Sequence, residues 1–144
     1  MTHHVCSSLC AQLIQELEAV KTWERPRVEL EQYPTPPDIA AHMLLAADAE
    51  GDVEDALVAD LGCGGCILGI GAALLGAAHV VGVDIDPAAL SVAAQNVAHA
   101  EVSADLLLCD VVQLATRKPS LGLGSISNLD SSATAAVGSK QYGA

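Results

Sequence analysis

The chain is poor in aromatic and in basic residues. Only 2% of its 144 residues are aromatic and none is phenylalanine, although 51% are hydrophobic. A chain of this length can bury a core, which must then consist mainly of Ala, Leu and Val. Six Lys and Arg against 18 Asp and Glu give a formal charge of −12. That charge argues against a surface that neutralises nucleic-acid phosphates on this chain alone.

Long apolar runs and a secretory signal are also missing. No segment is apolar over the roughly 20 residues that a membrane-spanning helix needs. No Lys or Arg precedes an apolar stretch at the N-terminus, as a secretory signal would require. Five cysteines, an odd number without secretory context, indicate reduced thiols. We therefore expect one soluble domain in the nucleus or cytoplasm, with no membrane contact.

One stretch organises the chain. Residues 57–61 form an apolar run that predicts a strand, residues 62–66 are all Gly or Cys, and residues 66–75 have helical periodicity. In a strand–turn–helix unit the backbone N–H groups of the turn point at a ligand. A second apolar run ends at Asp84, where an acidic side chain can accept hydrogen bonds from ribose hydroxyls. The pattern therefore indicates a cofactor that carries a nucleoside.

The glycine spacing distinguishes between such cofactors. The dinucleotide fingerprint Gly-x-Gly-x-x-Gly is met by Gly62 and Gly64, but Ile67 occupies the third glycine position. Asp60 instead gives an Asp-x-Gly-x-Gly pattern, which resembles the first motif of class I S-adenosylmethionine (SAM) methyltransferases. The pattern favours SAM, with NAD or FAD and a loop that binds no cofactor as the alternatives.

Helix and strand signals alternate along the chain. Helical periodicity occurs at about residues 8–20, 36–49, 66–75 and 87–100, and apolar runs predict strands at about residues 57–61, 80–84 and 105–109. The predicted N-caps of three of these helices are Ser7 or Ser8, Thr35 before Pro36, and Asp86 before Pro87. Such alternation implies an α/β, Rossmann-like fold with a parallel sheet.

The last 28 residues differ in composition from the rest. Residues 117–144 are rich in Ser, Gly and Ala without helical periodicity, which is typical of a disordered tail. A weak strand near residues 121–126 is the alternative. We expect three parts: N-terminal helices with a cofactor-capping segment over 1–50, an incomplete cofactor-binding core over 51–116, and a low-complexity tail over 117–144.

Three motifs together are specific to one family. They are Leu30-Glu31-Gln32-Tyr33-Pro34-Thr35, Asp60-Leu61-Gly62-Cys63-Gly64 and Val83-Asp84-Ile85-Asp86. In register over about residues 13–112, they resemble methyltransferase-like protein five, a family of SAM-dependent enzymes that methylate the N6 amino group of an adenine in small-subunit ribosomal RNA. The resemblance implies the N-terminal half of a class I SAM-dependent methyltransferase fold, with about three parallel strands.

The resemblance also implies a cofactor site, formed by Gln32, Thr35, Asp60, Gly62, Gly64, Gly65, Ile67, Asp84 and Asp110. Gln32 and Thr35 would contact the methionine end of SAM, and the glycines with Ile67 would line the loop beneath it. Asp84 would accept hydrogen bonds from the ribose hydroxyls. Asp110 would accept one from the adenine amino group, although capping a helix or turn is its alternative role. No catalytic residue and no metal ligand is predicted on this chain.

The partners implied by the resemblance are ribosomal RNA and a small zinc-binding activator subunit. That subunit would add a strand beside the third strand, whose sequence Leu106-Leu107-Leu108 is an apolar edge. The outer edge of the first strand would stay uncovered in this chain. We therefore expect poor solubility without a partner.

The chain departs from the family pattern at two places. The family's loop reads Gly-Cys-Gly-Cys-Gly, whereas Cys66 stands here at the last glycine. If the backbone needs a positive φ there, cofactor binding weakens unless Gly65 absorbs the strain. The family's Asn-Pro-Pro-Phe motif, which holds the flipped target base, is absent, and Asn128 is not expected to replace it. The resemblance thus implies that the chain is the SAM-binding half of such an enzyme; the alternative is a truncated, non-catalytic module that binds SAM or the partner.

Some Cys and His residues permit other interpretations. Cys63 and Cys66 form a Cys-x-x-Cys pair at a helix start, a pattern typical of redox-active thiols. A metal cluster near the N-terminus is a further alternative, although regular zinc spacing is lacking; its ligands would be His3, His4, Cys6 and Cys10. We expect His42 to lie on a helix surface and His79 at the start of a strand, and neither to be a catalyst.

Overall fold

The computed structural model describes residues 2–22 and 33–116, with side chains for residues 8–22 and 33–113. The elements are α1 (Thr2–Glu18), α2 (Pro37–Ala49), β1 (Leu57–Leu61), α3 (Ile67–Leu74), β2 (His79–Asp84), α4 (Pro87–His99), β3 (Asp105–Leu108) and α5 (Val111–Thr116). Among the described residues, no helix combines the length and the apolar character needed to cross a membrane.

The three strands form one parallel sheet in the order β1-β2-β3. Leu61 lies opposite Val83 in the β1–β2 pair, and Asp84 lies opposite Leu108 in the β2–β3 pair. The carboxyl ends of all three strands therefore meet at one edge of the sheet, where open α/β sheets bind ligands. The predicted α/β fold with a short parallel sheet is confirmed.

The N-terminal helices share one hydrophobic core with the sheet. Leu17 of α1 and Leu44 of α2 lie in the same buried cluster as Ile70 of α3 and Val80 of β2. Gly71 of α3 has no room for a side chain, because Leu44 occupies the space that a Cβ would take. Small residues thus let α2 approach α3 closely. The core is made mainly of Ala, Leu and Val, as the composition predicts, and Cys63, Cys66 and Ile70 are buried with them.

Two of the predicted helix starts are wrong. Neither Ser7 nor Ser8 is an N-cap, because α1 already begins at Thr2; its 17 residues contain no Pro or Gly that would interrupt the helix. Thr35 is not the N-cap of α2 either. Pro36 occupies that position in an extended conformation, with ψ of 145°. The following Pro37 explains this, since a residue before proline is disfavoured in the helical region.

The other elements agree with their predictions to within about a residue at each end. β1 has the predicted bounds. Asp86 caps α4 by accepting a hydrogen bond from the Ala88 N–H at 3.0 Å, with Pro87 at the first helical position. Helix α5 is absent from the prediction. Gln32, Asn128 and the predicted tail lie outside the described residues.

Candidate cofactor-binding site

The loop between β1 and α3 folds back onto the end of β2. The backbone N–H groups of Gly62 and Cys63 both donate to the Val83 carbonyl oxygen, at 2.7 and 2.9 Å. Gly62 has φ of +76° and Gly64 has φ of +52°. Glycine adopts this left-handed region without a Cβ clash, so the chain can turn sharply as it leaves the sheet.

Cys66 lies in the left-handed region as well. It is the N-cap of α3 with φ of 66° and ψ of 32°, and its side chain is fully buried. Position 66 thus does require a positive φ, and Gly65 does not absorb it, since its own φ is not positive. A side chain in this conformation costs about 1–2 kcal/mol relative to glycine. The departure from the family's glycine pattern therefore strains the loop.

Gly65 must be glycine for a different reason. A Cβ built on it would lie 2.9 Å from the carbonyl oxygen of Lys21 and 3.2 Å from Nδ2 of Asn96. The loop backbone therefore presses against the chain that leaves α1. Position 65, where the family pattern has Cys, admits no side chain in this packing.

Asp84 holds the loop from the end of β2. Its Oδ2 accepts a hydrogen bond from the Gly64 N–H at 2.8 Å, and its Oδ1 accepts one from the Asp86 N–H at 2.8 Å. The carboxylate is half-buried. Each carboxylate oxygen has a second lone pair, so Asp84 can hold the loop and still accept hydrogen bonds from a ligand.

Asp110 follows β3 and caps the short helix α5. Its Oδ1 accepts a hydrogen bond from the Val112 N–H at 2.9 Å, and its Oδ2 one from Nε2 of Gln113 at 3.2 Å. The capping role that the sequence left open is therefore present. The same edge of the sheet carries Asp84, which is the last residue of the neighbouring strand β2.

Asp60 ties the end of β1 to α3. Its buried carboxylate accepts a hydrogen bond from the Gly69 N–H at 3.0 Å. Burial raises the pKa of Asp60; the Gly69 hydrogen bond lowers it, and the nearby charge of Asp84 raises it further. Asp60 is thus a structural anchor whose ionised form is disfavoured by its surroundings.

The thiols of Cys63 and Cys66 are buried together over Gly82, where β2 has no side chain. A hydrogen bond with the Cys66 thiol and burial raise the pKa of Cys63. Since the thiolate is the reactive form, this environment works against the redox interpretation of the Cys-x-x-Cys pair.

The histidines with described side chains lie away from the loop. His42 is exposed on α2 with Cys10 Sγ 3.7 Å from its Nε2, and His79 begins β2, 3.1 Å from the carboxylate of Asp105. The part of the chain that the structure describes contains no group of three or more side chains placed to hold a metal ion. The side chains of His3, His4 and Cys6 lie outside it.

A cavity of about 330 Å³ opens beside the loop. Six of the predicted site residues line it: Thr35, Asp60, Gly62, Gly64, Gly65 and Ile67. The segment leaving α1, with Lys21, and the proline-rich segment before α2, with Tyr33, form the facing walls. Asp84 and Asp110 are not among the lining residues. The cavity therefore adjoins the glycine loop without including these two carboxylates, although Gly64, which donates to Asp84, lines it.

The site fits a nucleoside cofactor with an amino-acid end. The volume lies in the range of small-molecule sites. Nothing lies within 4 Å of the place where a Cβ on Gly62 would stand, so a ligand can approach the bare backbone there. Carboxylates at the strand ends suit ribose and adenine donors, and the neighbouring cavity can take the rest of the molecule.

Sequence reasoning missed Asn96. This α4 residue is only 3% exposed and bonds to the backbone of both Lys21 and Gly65. The available signal was a polar residue three positions after Ala93, on the inward stripe of an otherwise apolar helix face. Its partners could not be read from that signal, because they lie 75 and 31 residues away along the chain.

Comparison with known proteins identifies relatives of this site. The family described as ribosomal protein L11 methyltransferase (PrmA) matches residues 40–120. The chain is 45% identical over 100 residues to the rRNA N(6)-adenosine-methyltransferase METTL5 of Danio rerio, covering 68% of this chain and 48% of that protein. It is 42% identical over 104 residues to the Mettl5 protein of Drosophila melanogaster, covering 71% and 49%.

A solved structure agrees with these matches. A proposed RNA methyltransferase from Pyrococcus horikoshii aligns with a TM-score of 0.69 at 36% identity, covering 74% of this chain and 54% of that one. The chain spans about half the length of the relatives it matches. The resemblance drawn from the three motifs is confirmed by these relatives, and the chain belongs to the family described as ribosomal protein L11 methyltransferase (PrmA), which matches more than half of it.

Proposed function

We propose that this chain is the SAM-binding half of an rRNA adenine-N6 methyltransferase. The main support is the glycine loop between Asp60 and Asp84, which meets the carboxyl ends of β1 and β2 and faces a cavity of about 330 Å³. Further support comes from the 45% identity to a protein described as an rRNA N(6)-adenosine-methyltransferase. When bound, SAM supplies the methyl group, and this chain's part is to hold and orient it.

The proposed orientation follows from the two kinds of surface at the site. Asp84, at the end of β2, accepts hydrogen bonds from the ribose hydroxyls, and Asp110, after β3, accepts one from the adenine amino group. The methionine end lies in the cavity, against Thr35 and the loop backbone of Gly62 and Gly65. The nucleoside thus meets the carboxylates, and the amino-acid end meets the cavity.

Calorimetric titration of the full chain with S-adenosylhomocysteine tests this proposal. We expect saturable binding at one site and at least a tenfold loss of affinity in Asp84→Ala, because its ribose contacts are removed. Asp105→Ala is the matched control: it removes the same charge at the opposite end of the sheet, where the Asp105 side chain is 73% exposed. A wild-type chain that releases no heat, or two variants that bind equally well, would contradict the proposal.

A second candidate function is a non-catalytic module that binds SAM. The observation favouring it is that the 144 residues contain no Asn-Pro-Pro-Phe motif and no phenylalanine to stack on a flipped adenine. A methyl-transfer assay on small-subunit rRNA, with activator subunit present, separates the two. Transfer of methyl groups would exclude the non-catalytic candidate, whereas SAM binding without transfer would support it.

The proposed partner is the small zinc-binding activator subunit, added as a strand to β3. Among the described strands β3 stands last in the order β1-β2-β3, with Leu107 and Leu108 only half-buried. Exposed strand edges are sites of strand addition. We expect Leu107→Asp to abolish co-elution with the activator in size-exclusion chromatography, and Leu57→Asp on the outer strand β1 to retain it. Equal behaviour of the two variants would contradict this arrangement.

A further inference from the structure

We propose that Asn96 is a positioning residue for the cofactor. It fastens the chain leaving α1 onto the glycine loop and so builds the cavity wall that receives the amino-acid end of SAM. This inference rests on the proposed function, and it concerns a residue of α4 that does not itself line the cavity. Its effect on binding must therefore pass through Lys21 and Gly65, which do line it.

Three hydrogen bonds carry the inference. The Oδ1 of Asn96 accepts a hydrogen bond from the Lys21 N–H at 3.0 Å. Its Nδ2 donates to the carbonyl oxygens of Lys21 and Gly65, each at 2.9 Å. An amide side chain has two N–H donors and one acceptor oxygen, so Asn96 engages its whole polar group with the backbone. One side chain thus joins three segments that are distant in sequence.

The chain after α1 needs such a partner. Helix α1 ends at Glu18, and the last turn closes with the Val20 N–H donating to the Leu17 carbonyl oxygen at 3.1 Å. Lys21 lies beyond this turn, where helical hydrogen bonds are no longer supplied. Asn96 satisfies both backbone groups of Lys21 and fixes the path of this segment over the loop.

The close approach at Gly65 shows how tight this junction is. A Cβ on Gly65 would lie 2.9 Å from the Lys21 carbonyl oxygen, so the two backbones are in direct contact. Asn96 bonds to the Gly65 carbonyl on one side and to Lys21 on the other. Since Asn96 is 3% exposed, water cannot readily replace it in either contact.

The consequence is selective for one part of the cofactor. Lys21 and Gly65 face the same cavity as Thr35, whereas Asp84 and Asp110 lie outside it. Asn96 therefore controls the affinity for ligands that fill the cavity. A nucleoside thioether without the amino-acid part engages the carboxylates alone and is expected to be insensitive to Asn96.

Calorimetry on Asn96→Asp tests this with two probes, S-adenosylhomocysteine and 5′-methylthioadenosine. Aspartate has nearly the same shape as asparagine but cannot donate to either carbonyl. We expect the Kd for S-adenosylhomocysteine to rise by at least about tenfold, and that for 5′-methylthioadenosine by less than about twofold. The matched control is Gln95→Glu, the same amide-to-carboxylate change on an exposed neighbour; it should change neither Kd.

The outcomes are distinguishable. Unchanged S-adenosylhomocysteine affinity in Asn96→Asp, or an equal loss for both probes, would overturn the positioning role alone. A wild-type chain that binds neither probe would contradict the proposed function and, with it, this inference.

Hydrogen exchange on the wild-type chain covers the case in which Asn96→Asp does not fold. S-adenosylhomocysteine should slow exchange of the Lys21 amide, because filling the cavity stabilises the wall that Asn96 holds. 5′-Methylthioadenosine should leave that amide nearly unchanged. Equal exchange of the Lys21 amide with and without S-adenosylhomocysteine would overturn the inference.

Discussion

Adjacent residues of the glycine loop are held by chemically different side chains. Gly64 is held by Asp84, a half-buried carboxylate whose oxygens keep lone pairs for further donors. Gly65 is held by Asn96, a buried neutral amide whose donors and acceptor all engage the backbone. The two side chains therefore have different roles. The carboxylate can contact a ligand directly, whereas the amide acts only by fixing the backbone that surrounds the ligand.

Burial should make the amide more important for stability than the carboxylate. A hydrogen-bonding group that loses its partner costs most where water cannot reach it. Variants of Asn96, of Asp84 and of the loop residues that they hold test this difference.

Asn96→Ala should be the most destabilising of these changes. The change leaves the N–H and the carbonyl of Lys21 and the carbonyl of Gly65 without this hydrogen-bond partner. We therefore expect the free energy of unfolding to fall by about 3 kcal/mol. Urea denaturation measures this. Gln95→Ala, on the exposed side of α4, should stay within about 0.5 kcal/mol of wild type. A loss below about 1 kcal/mol for Asn96→Ala would mean that Asn96 contributes no more to stability than Asp84 does.

Gly65→Ala should cost about 2 kcal/mol, because its Cβ would push the Lys21 carbonyl away from the loop. Gly51→Ala is the control. Gly51 has φ of +83° with open space around it, so only backbone strain of about 1 kcal/mol is expected there. The same denaturation assay applies, and a Gly65 variant no less stable than the Gly51 variant would show that the contact with α1 is loose.

Asp84→Ala should cost only about 1 kcal/mol of folding stability, less than Asn96→Ala, since the Asp84 carboxylate is half-buried and holds two backbone amides, whereas Asn96 is buried and holds three backbone groups. The loss of binding free energy for S-adenosylhomocysteine should be larger than this loss of folding stability. Thermal unfolding with and without the ligand measures both in one experiment. A variant that unfolds as readily as Asn96→Ala would mean that the carboxylate, too, is chiefly structural.

Asp60→Asn tests the anchor at the start of the loop through its pH dependence. Burial raises the pKa of Asp60, so its ionised form destabilises the fold at neutral pH, and this penalty disappears as the pH falls through the folded pKa. Asparagine keeps an acceptor for the Gly69 N–H. We expect the variant to be slightly more stable than wild type at neutral pH, with an advantage that shrinks towards about pH 4. Urea denaturation at several pH values measures this. A stability advantage of the variant that grew as the pH fell would contradict the expectation.

Local patterns predicted the parts of the site that are contiguous in sequence. The strand at residues 57–61, the turn after it and the acidic end of β2 all follow from short apolar runs, glycines and Asp84. The strain at Cys66 was expected if position 66 needed a positive φ, which depends only on the local turn. Such features are set by neighbours along the chain, so the sequence exposes them.

Features set by distant neighbours were not predictable in the same way. Asn96 meets Lys21 across 75 residues, and no periodicity links the two. The start of α1 was missed because Ser8 can stand inside a helix as well as cap one. The cavity wall, which joins the end of α1 to the loop, thus appears only once the helices are packed on the sheet.

The central claim is that SAM binds at the glycine loop with its amino-acid end between the loop and the end of α1, and amide shifts of the nitrogen-15-labelled chain test it most directly. On titration with S-adenosylhomocysteine we expect saturable shifts at the Gly62, Gly64 and Lys21 amides, while Leu57 at the far end of β1 stays unchanged. Shifts confined to other regions, or none at saturating ligand, would contradict the account.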